Sequence, residues 1–431
     1  MNDTLEFLKK RFSDYYKEAN LYLPDRFGKR EWGFMFLGEG FMKRHMAFQN
    51  REGLRDFLVN KIPAHVYHSA AYYEKPNAST MQEKNWLGAD LIFDLDADHI
   101  KGAEGMTYEE TLQKVKEEFI RLIDDFLLDD FGFSQDQLEI IFSGGRGYHI
   151  HIRDPRVIQL SSHERREIVD YITGKEVDME LIFPETAYDK KTYIDKKTST
   201  EHVTIKKKVM MPEEDAGGWK KKMREGMRRL TDELENIGKA EAIKRLCLFE
   251  GIGEKTAKGI YIDLFEGPKG ERGVDRMWGE ENLEIFSSDK HQNFFLLIVK
   301  GEIGIKMEGD EGQASQESIE SLIVKEKLEG ETDEPVTSDI RRLIRLPSSL
   351  HGKTGFVVKP LSRDELNDFE PLRDAVCGIF SDDPIKIEVT KPVNIKLKNE
   401  VFNLKEGEAE VPEFAAIFLL CRKNAQIPQK T

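Results

Sequence analysis

Leu91-Ile92-Phe93-Asp94-Leu95-Asp96-Ala97-Asp98 is an apolar strand whose end turns abruptly acidic. Side chains on a strand alternate between faces, so Asp94 and Asp96 share one face at roughly 6–7 Å and can clamp cations between them. Hard divalent ions such as Mg²⁺ or Mn²⁺ prefer carboxylate oxygens, and a pair of them can hold both the attacking and the leaving oxygen of a phosphoryl transfer. Taken alone, this Asp-x-Asp also describes a strand end entering a solvated acidic loop. Asp98 fits the same face but falls in the following loop, and is left out of the candidate site.

Further along, Leu138 to Phe142 reads as a buried strand, followed by Ser143-Gly144-Gly145-Arg146-Gly147 and the alternating run Tyr148-His149-Ile150-His151-Ile152. Two strands flank a glycine turn. Its glycines let backbone amides approach an anion, and Ser143, Arg146 and His149 are donors suited to phosphate oxygens. No Gly-Lys-Ser/Thr follows and the next element reads as a strand, so this is not a Walker loop. By itself the turn also fits a tight hairpin with an incidental arginine. A third cluster runs from Asp333-Glu334-Pro335-Val336-Thr337 through Arg341-Arg342-Leu343-Ile344-Arg345-Leu346-Pro347 to Ser348-Ser349-Leu350-His351-Gly352-Lys353-Thr354-Gly355. An acid followed by dense basic groups and a histidine near glycines can hold metal and polyphosphate side by side. The alternative there is a surface helix with balancing charges.

Around these clusters the pattern is mixed α and β, an α+β fold. Strand-like runs occupy about 32–48 and 61–95. Thr107 to Glu110 form a capping box, after which Leu112, Val115, Phe119, Leu122, Ile123 and Phe126 recur at helical spacing to near Asp130. Between about Asp170 and Glu331 the sequence loosens into charged helical stretches and polar links such as Glu308 to Glu317, which reads as an insertion. Leu343 to Leu346, Ile385 to Val393 and Glu400 to Val411 return to strand-like composition. The expected division is a catalytic core in two parts, residues 1–165 and 320–431, around a charged, largely helical insertion at 166–319.

The 431-residue chain has a formal net charge of −15, so attraction to nucleic acid needs local basic patches. One candidate runs from Lys191 to Arg229, where 12 Lys or Arg stand against 6 Asp or Glu, a balance of +6. A pair of solvated charged helices would show the same balance. Phe249-Glu250-Gly251-Ile252-Gly253-Glu254-Lys255-Thr256-Ala257 has the look of a helix-hairpin-helix turn, or of an ordinary helix junction. Cys247, Cys377 and Cys421 form no CxxC pair, which argues against a disulfide framework and fits a reducing cytoplasm. The longest apolar run, Phe414 to Cys421, is too short to span a bilayer, so no membrane partner is expected.

Taken together, the three clusters closely resemble the small catalytic subunit of archaeal and eukaryotic DNA primases. That family carries an FD(I/L)D strand, an SGxRGxH turn and a D-x-x-V-T segment leading to RLIRLPxSLHGKTG, in this order and at comparable spacing. The match extends from the acidic strand through Gly355, with weaker similarity at Arg30-Glu31-Trp32, Arg44 to Phe48 and Val411 to Cys421. The resemblance implies the primase fold, with two hairpin-rich or βαβ-like halves across a catalytic cleft. It implies that Asp94, Asp96 and Asp333 bind two Mg²⁺ or Mn²⁺ ions, and that Ser143, Arg146, His149, Arg345, His351 and Arg44 contact the incoming nucleotide. It further implies template-dependent joining of NTPs or dNTPs on single-stranded DNA for replication, a large-subunit partner in a heterodimer, and a cytoplasmic, nucleoid-associated location. Family members commonly carry a Cys/His zinc knuckle after the acidic strand, whereas Ala97 to Leu128 holds no cysteine and only His99, so no zinc is expected. Two other readings are a related repair-type polymerase needing no large subunit, and a noncatalytic nucleic-acid-binding subunit, for which the basic patch and hairpin would suffice.

Overall fold

The computed structural model describes residues 2–100, 105–175, 177–194, 201–267, 270–306, 322, 324 and 328–428. The polar link at 308–317 and the border expected after 319 lie outside these residues. By contacts the chain divides into two compact units, one of Met1–Ile172 with Glu331–Thr431 and one of Thr173–Gly330.

In the first unit the amino-terminal half supplies β1 (Trp32–Phe36), β2 (Met42–Met46), β3 (Pro63–Ser69), β4 (Ala71–Tyr73), β5 (Trp86–Ala89), β6 (Leu91–Asp96), β7 (Leu138–Phe142) and β8 (Gly147–Ile152). The second unit holds β9 (Glu185–Ile194) and β10 (Glu201–Val209). The carboxy-terminal part adds β11 (Leu343–Arg345), β12 (Lys359–Leu361), β13 (Pro384–Val389), β14 (Val393–Leu397), β15 (Glu400–Leu404), β16 (Gly407–Pro412) and β17 (Ala425–Gln426). Two four-stranded sheets result, in the orders β11-β3-β1-β2 and β12-β7-β8-β6. Every pairing in them is antiparallel, so both halves are hairpin-rich rather than βαβ. In each sheet an outer strand comes from the carboxy-terminal part, which ties the two ends of the chain into one core.

The helix at Tyr108–Arg121 begins where the sequence predicts, with Thr107 and Glu110 closing a reciprocal capping box. Its apolar stripe is buried, and it runs on through a π-helical segment, Leu122–Asp130. Phe119 stacks on Tyr148 of β8 at 5.2 Å, which covers one face of that sheet. β8 is buried along its whole length, so His149 and His151 lie inside rather than toward solvent. The apolar run near the carboxy terminus is a wholly buried helix, Glu413–Cys421. No helix among the described residues is long and apolar enough to cross a membrane. The strand expected over Ile385 to Val393 is divided between β13 and β14, since Lys391-Pro392 interrupts it.

The second unit is mostly helical, with helices Gly218–Asn236, Lys239–Leu246, Glu254–Phe265, Gly273–Glu280 and Asp289–Lys300. Trp219, Met223, Met227, Leu230 and Leu234 form the buried stripe of the longest one. The expectation of a largely helical insertion does not include the β9–β10 ribbon. Lysines at 190, 191 and 206–208 interrupt its alternation of Thr, Tyr, Val and Ile, and no Asn-Gly or Asp-Gly pair marks the reversal.

Candidate active site

Asp94 and Asp96 stand on β6, with Phe93 and Leu95 fully buried on the opposite face of the strand. β6 is an outer strand that pairs only with β8, placing Asp94 across from His149 and Asp96 across from Gly147. The backbone of Asp94 also meets the third acid. Asp333 N–H donates to Asp94 O at 2.9 Å, and the Thr332 hydroxyl reaches the same oxygen at 3.4 Å. Asp333 stands at the N-cap position of the short helix Glu334–Ser338, which is pinned by Val336 in a buried cluster with Ala70, Ile92 and Ile344. Residues far apart in sequence, Thr332 lying 238 positions from Asp94, are therefore joined by these bonds and by an apolar knot under the acids.

Crowding these carboxylates has an electrostatic signature. Burial and the neighbouring Asp96 push the Asp94 carboxyl up to about 7, with Asp333 adding to the rise and Arg345 and Arg342 opposing it. Asp96 Oδ1 is buried without a hydrogen-bond partner, and Arg146 Nε stands 3.9 Å away. A cation would relieve both conditions, so the donor set suits hard divalent ions. Among the described residues, no three His, Cys, Asp or Glu side chains are already gathered as ligands around a common point.

The glycine turn connects β7 to β8 and closes with Ser143 N–H donating to Gly147 O at 2.9 Å. Gly147 must be glycine for packing, because a Cβ there would lie 2.4 Å from Leu95 O on the acid-bearing strand. Gly144, at φ +78°, would place a Cβ 2.7 Å from the His351 Cβ. The turn thus packs tightly against β6 on one side and the His351 loop on the other. Thr354 fixes that loop, with its hydroxyl donating to Gly144 O at 2.6 Å and lying 3.0 Å from His351 Nδ1. Tyr108, on the capped helix, donates to Gly145 O at 2.7 Å.

His149 and His351 are buried, and burial together with nearby positive charge holds both rings well below the usual imidazole range. His149 Nε2 and Arg345 Nε are buried without hydrogen-bond partners. Arg345 lies over the Tyr67 ring at 5.7 Å. Arg146 is engaged by a residue the sequence reading set aside: its terminal nitrogen donates to both oxygens of Asp98, each at 2.7 Å. The structure therefore brings Asp94, Asp96, Asp333 and Arg345 into one electrostatic group, with Ser143, Arg146, His149 and His351 around the adjoining turn. Arg44 is engaged by a carboxylate of its own. It lies on β2 and donates to the buried Glu31 carboxylate at 3.1 and 3.3 Å, where Lys84 Nζ also sits at 3.0 Å.

Sequence reasoning misses the support beneath the site. Asp90, immediately before β6, is buried with Arg30 at 2.8 Å, His151 at 3.3 Å and the Tyr72 hydroxyl in contact, while Arg165 donates to Asp90 O at 2.7 Å. Opposite charge and hydrogen bonds hold the Asp90 carboxyl below its ordinary range in spite of burial. Only Arg30 carries a sequence hint, in the Arg30-Glu31-Trp32 similarity. In the second unit, Gly251 at φ +75° lies between helices Lys239–Leu246 and Glu254–Phe265, a placement common to a helix-hairpin-helix turn and an ordinary helix junction. Part of the basic stretch serves packing: Lys222 and Arg224 are buried, and Arg228 lies over Trp278 at 4.8 Å.

An acid-bearing strand, a third acid whose amide bonds to that strand's backbone and an adjoining glycine turn are the elements expected of a nucleotidyltransferase. The family model for the DNA primase small subunit matches residues 93–363. Relatives are similar along nearly their whole length. The DNA primase small subunit PriS of Methanocella arvoryzae is 43% identical, with 99% of this chain and 99% of the relative covered. The PriS proteins of Methanothrix thermoacetophila and Halobacterium salinarum are 40% and 36% identical, each over 98% of this chain and 99% and 98% of the relative. The chain belongs to the DNA primase small-subunit family, the catalytic subunit of primase.

Proposed function

We infer that this primase subunit works with two divalent cations, Mg²⁺ or Mn²⁺ and no zinc, held by Asp94, Asp96 and Asp333. What supports this reading is the bond from Asp333 N–H to Asp94 O, which holds the backbone of the third acid against the strand that carries the other two. Bound there, the cations supply charge neutralisation for the attacking hydroxyl and the departing pyrophosphate. The chain's own groups bind and orient the triphosphate. Arg345 Nε and His149 Nε2, buried and unpaired, each leave a deficit of about 1–3 kcal/mol that phosphate oxygens would remove. Ser143 and His351 frame the same turn. The triphosphate takes the place of Asp98 on Arg146, exchanging one anionic group for another at the guanidinium. Arg44 is left out of this set because its guanidinium is spent on Glu31.

The partner in this reading is a primase large subunit. Starting a chain requires ordering a template and two free nucleotides with no primer end to help, which is harder than extension. A subunit of net charge −15 has little general attraction for template. Two experiments test the reading. Calorimetric titration of Mn²⁺ into the full chain should show binding that Asp96→Asn and Asp333→Asn remove, together with templated nucleotide addition; intact Mn²⁺ affinity in both variants would overturn the carboxylate assignment. Initiation measured with and without the large subunit, at equal active-site concentration and several salt concentrations, should be efficient only in the heterodimer. Equal initiation by the lone subunit would favour the repair-type polymerase instead.

A further inference from the structure

Among the described residues, β9 and β10 pair only with each other. Their base is fixed in the second unit, where Met210 N–H donates to Pro184 O at 2.9 Å, Leu283 N–H donates to Val209 O at 3.0 Å, and Phe183 and Met211 are buried. Beyond that base Tyr188, Lys190, Val203, Ile205 and Lys206 are exposed. Ile205 pairs with Lys190 and Val203 with Thr192 on one face, while Lys206, paired with Asp189, and Lys208, paired with Thr186, lie on the other; the register shifts between Lys206 and Lys207, leaving Tyr188 without a partner across the ladder. Tyr188, Val203 and Ile205 are 52, 48 and 52% exposed.

A two-stranded ribbon with water on both faces is marginal by itself, and large apolar side chains gain nothing there unless something covers them. The charges say what kind of molecule does so. Lys207 is paired with Glu185 at 2.8 Å and Lys191 lies 3.9 Å from Asp189, but Lys190, Lys206 and Lys208 have no ion pair among the described residues. Free lysines are depleted in the cores of protein interfaces, and along a strand edge they discourage pairing with another strand. They suit phosphates. Ammonium groups interleaved with an exposed aromatic ring and aliphatic side chains are the elements of sequence-tolerant single-strand binding: point charges for the backbone, flat or apolar surface for the bases. A chain of net charge −15 needs such a patch to hold DNA at all.

We propose that the β9–β10 ribbon is an arm round which single-stranded template DNA passes, with Lys206 and Lys208 on its phosphates at one face, Lys190 on a phosphate where the strand crosses the narrow ribbon to the other, and Tyr188 against a base. The inference rests on the primase activity for its choice of nucleic acid, and on the ribbon alone for its location.

The test uses the full chain and a fluorescein-labelled oligothymidylate, followed by anisotropy over a series of KCl concentrations without nucleotide or divalent metal. For single strands each phosphate contact contributes about 0.7 to the slope of log affinity against log salt. The triple variant Lys190→Gln/Lys206→Gln/Lys208→Gln should therefore lose about 2 from that slope, and Lys206→Gln alone about a third as much. The triple Lys→Arg variant should keep the parental slope. Tyr188→Ala should weaken binding several-fold with the slope unchanged, since stacking releases no counterions. A triple Gln variant that melts like the parent and keeps its salt slope overturns the proposal. So does one that binds DNA as the parent does but no longer binds the large subunit, which would make the ribbon a protein-docking surface. Because neither nucleotide nor metal is present, this outcome is independent of the metal-site reading; Asp96→Asn, which should abolish nucleotide addition, should leave the slope where it was.

Discussion

Asp98→Asn should make this enzyme bind nucleotide more tightly. One Arg146 nitrogen donates to both Asp98 oxygens at 2.7 Å, and on the proposed reading the triphosphate displaces that carboxylate. The cost of displacement is bounded by the geometry. The two side chains are 43 and 65% exposed, and exposed ion pairs are worth at most about 1 kcal/mol. Neutralising Asp98 should therefore lower the KM for nucleotide by up to about 5-fold, with kcat close to parental, and the effect should shrink as salt screens the pair. The assay is steady-state primer extension over a nucleotide series with four proteins: parent, Asp98→Asn, Arg146→Ala and the double variant. Arg146→Ala should raise KM, and adding Asp98→Asn to it should change nothing further, because the pair is already gone. An unchanged or raised KM in Asp98→Asn refutes the competition, and a fall in kcat would place Asp98 among the metal-holding acids instead.

Three further outcomes follow from the same geometry. The Asp94 carboxyl is pushed up to about 7 from an ordinary 3.8, so the folded chain favours its protonated form. That contribution to stability is present at acid pH and lost as pH rises from about 4 to about 7. Comparing the pH dependence of the thermal midpoint in parent and Asp94→Asn should show the loss in the parent alone, and Mn²⁺ affinity should rise through the same window as the competing proton leaves. Arg30→Met leaves the buried Asp90 carboxylate without its closest cation, and urea unfolding should show a loss of about 3–5 kcal/mol; a loss under 1 kcal/mol would mean that His151, Tyr72 and Arg165 suffice. Gly147→Ala sets a Cβ 2.4 Å from Leu95 O, which should cost about 1–3 kcal/mol and move the turn off β6. Nucleotide addition should fall more than stability does, and parental activity would show that the turn need not touch that strand.

The acid-bearing strand and the glycine hairpin are legible in sequence because each is local: alternation fixes the faces of Asp94 and Asp96, and glycines mark the reversal between β7 and β8. The capped helix at Tyr108–Arg121 is legible for the same reason. What joins them is not local. Nothing in Asp333 or its neighbours announces that its amide will bond Asp94 O, and only the family resemblance puts the two together in advance. Buried charge is the second blind spot. Arg30, Asp90 and Arg165 carry ordinary surface residue types, and their burial follows from pairing that only the folded chain reveals. Arg44 shows the converse, a basic residue in a family-like stretch that the fold commits to Glu31. The β9–β10 ribbon went unread because its lysines suppress the apolar alternation by which strands are recognised.

The helices on either side of the second unit, Ser162–Ile172 and Glu334–Ser338, pack against each other, with Arg166 bonded to Glu334 at 2.8 Å. The chain thus leaves the catalytic unit and re-enters it through neighbouring doorposts. Loop closure costs grow only slowly with the length enclosed. A lineage of such enzymes is accordingly free to lengthen, shorten or exchange everything between Thr173 and Gly330 while the three acids keep their places, so that the site and whatever the intervening segment grasps can evolve as separate inventions on one polypeptide.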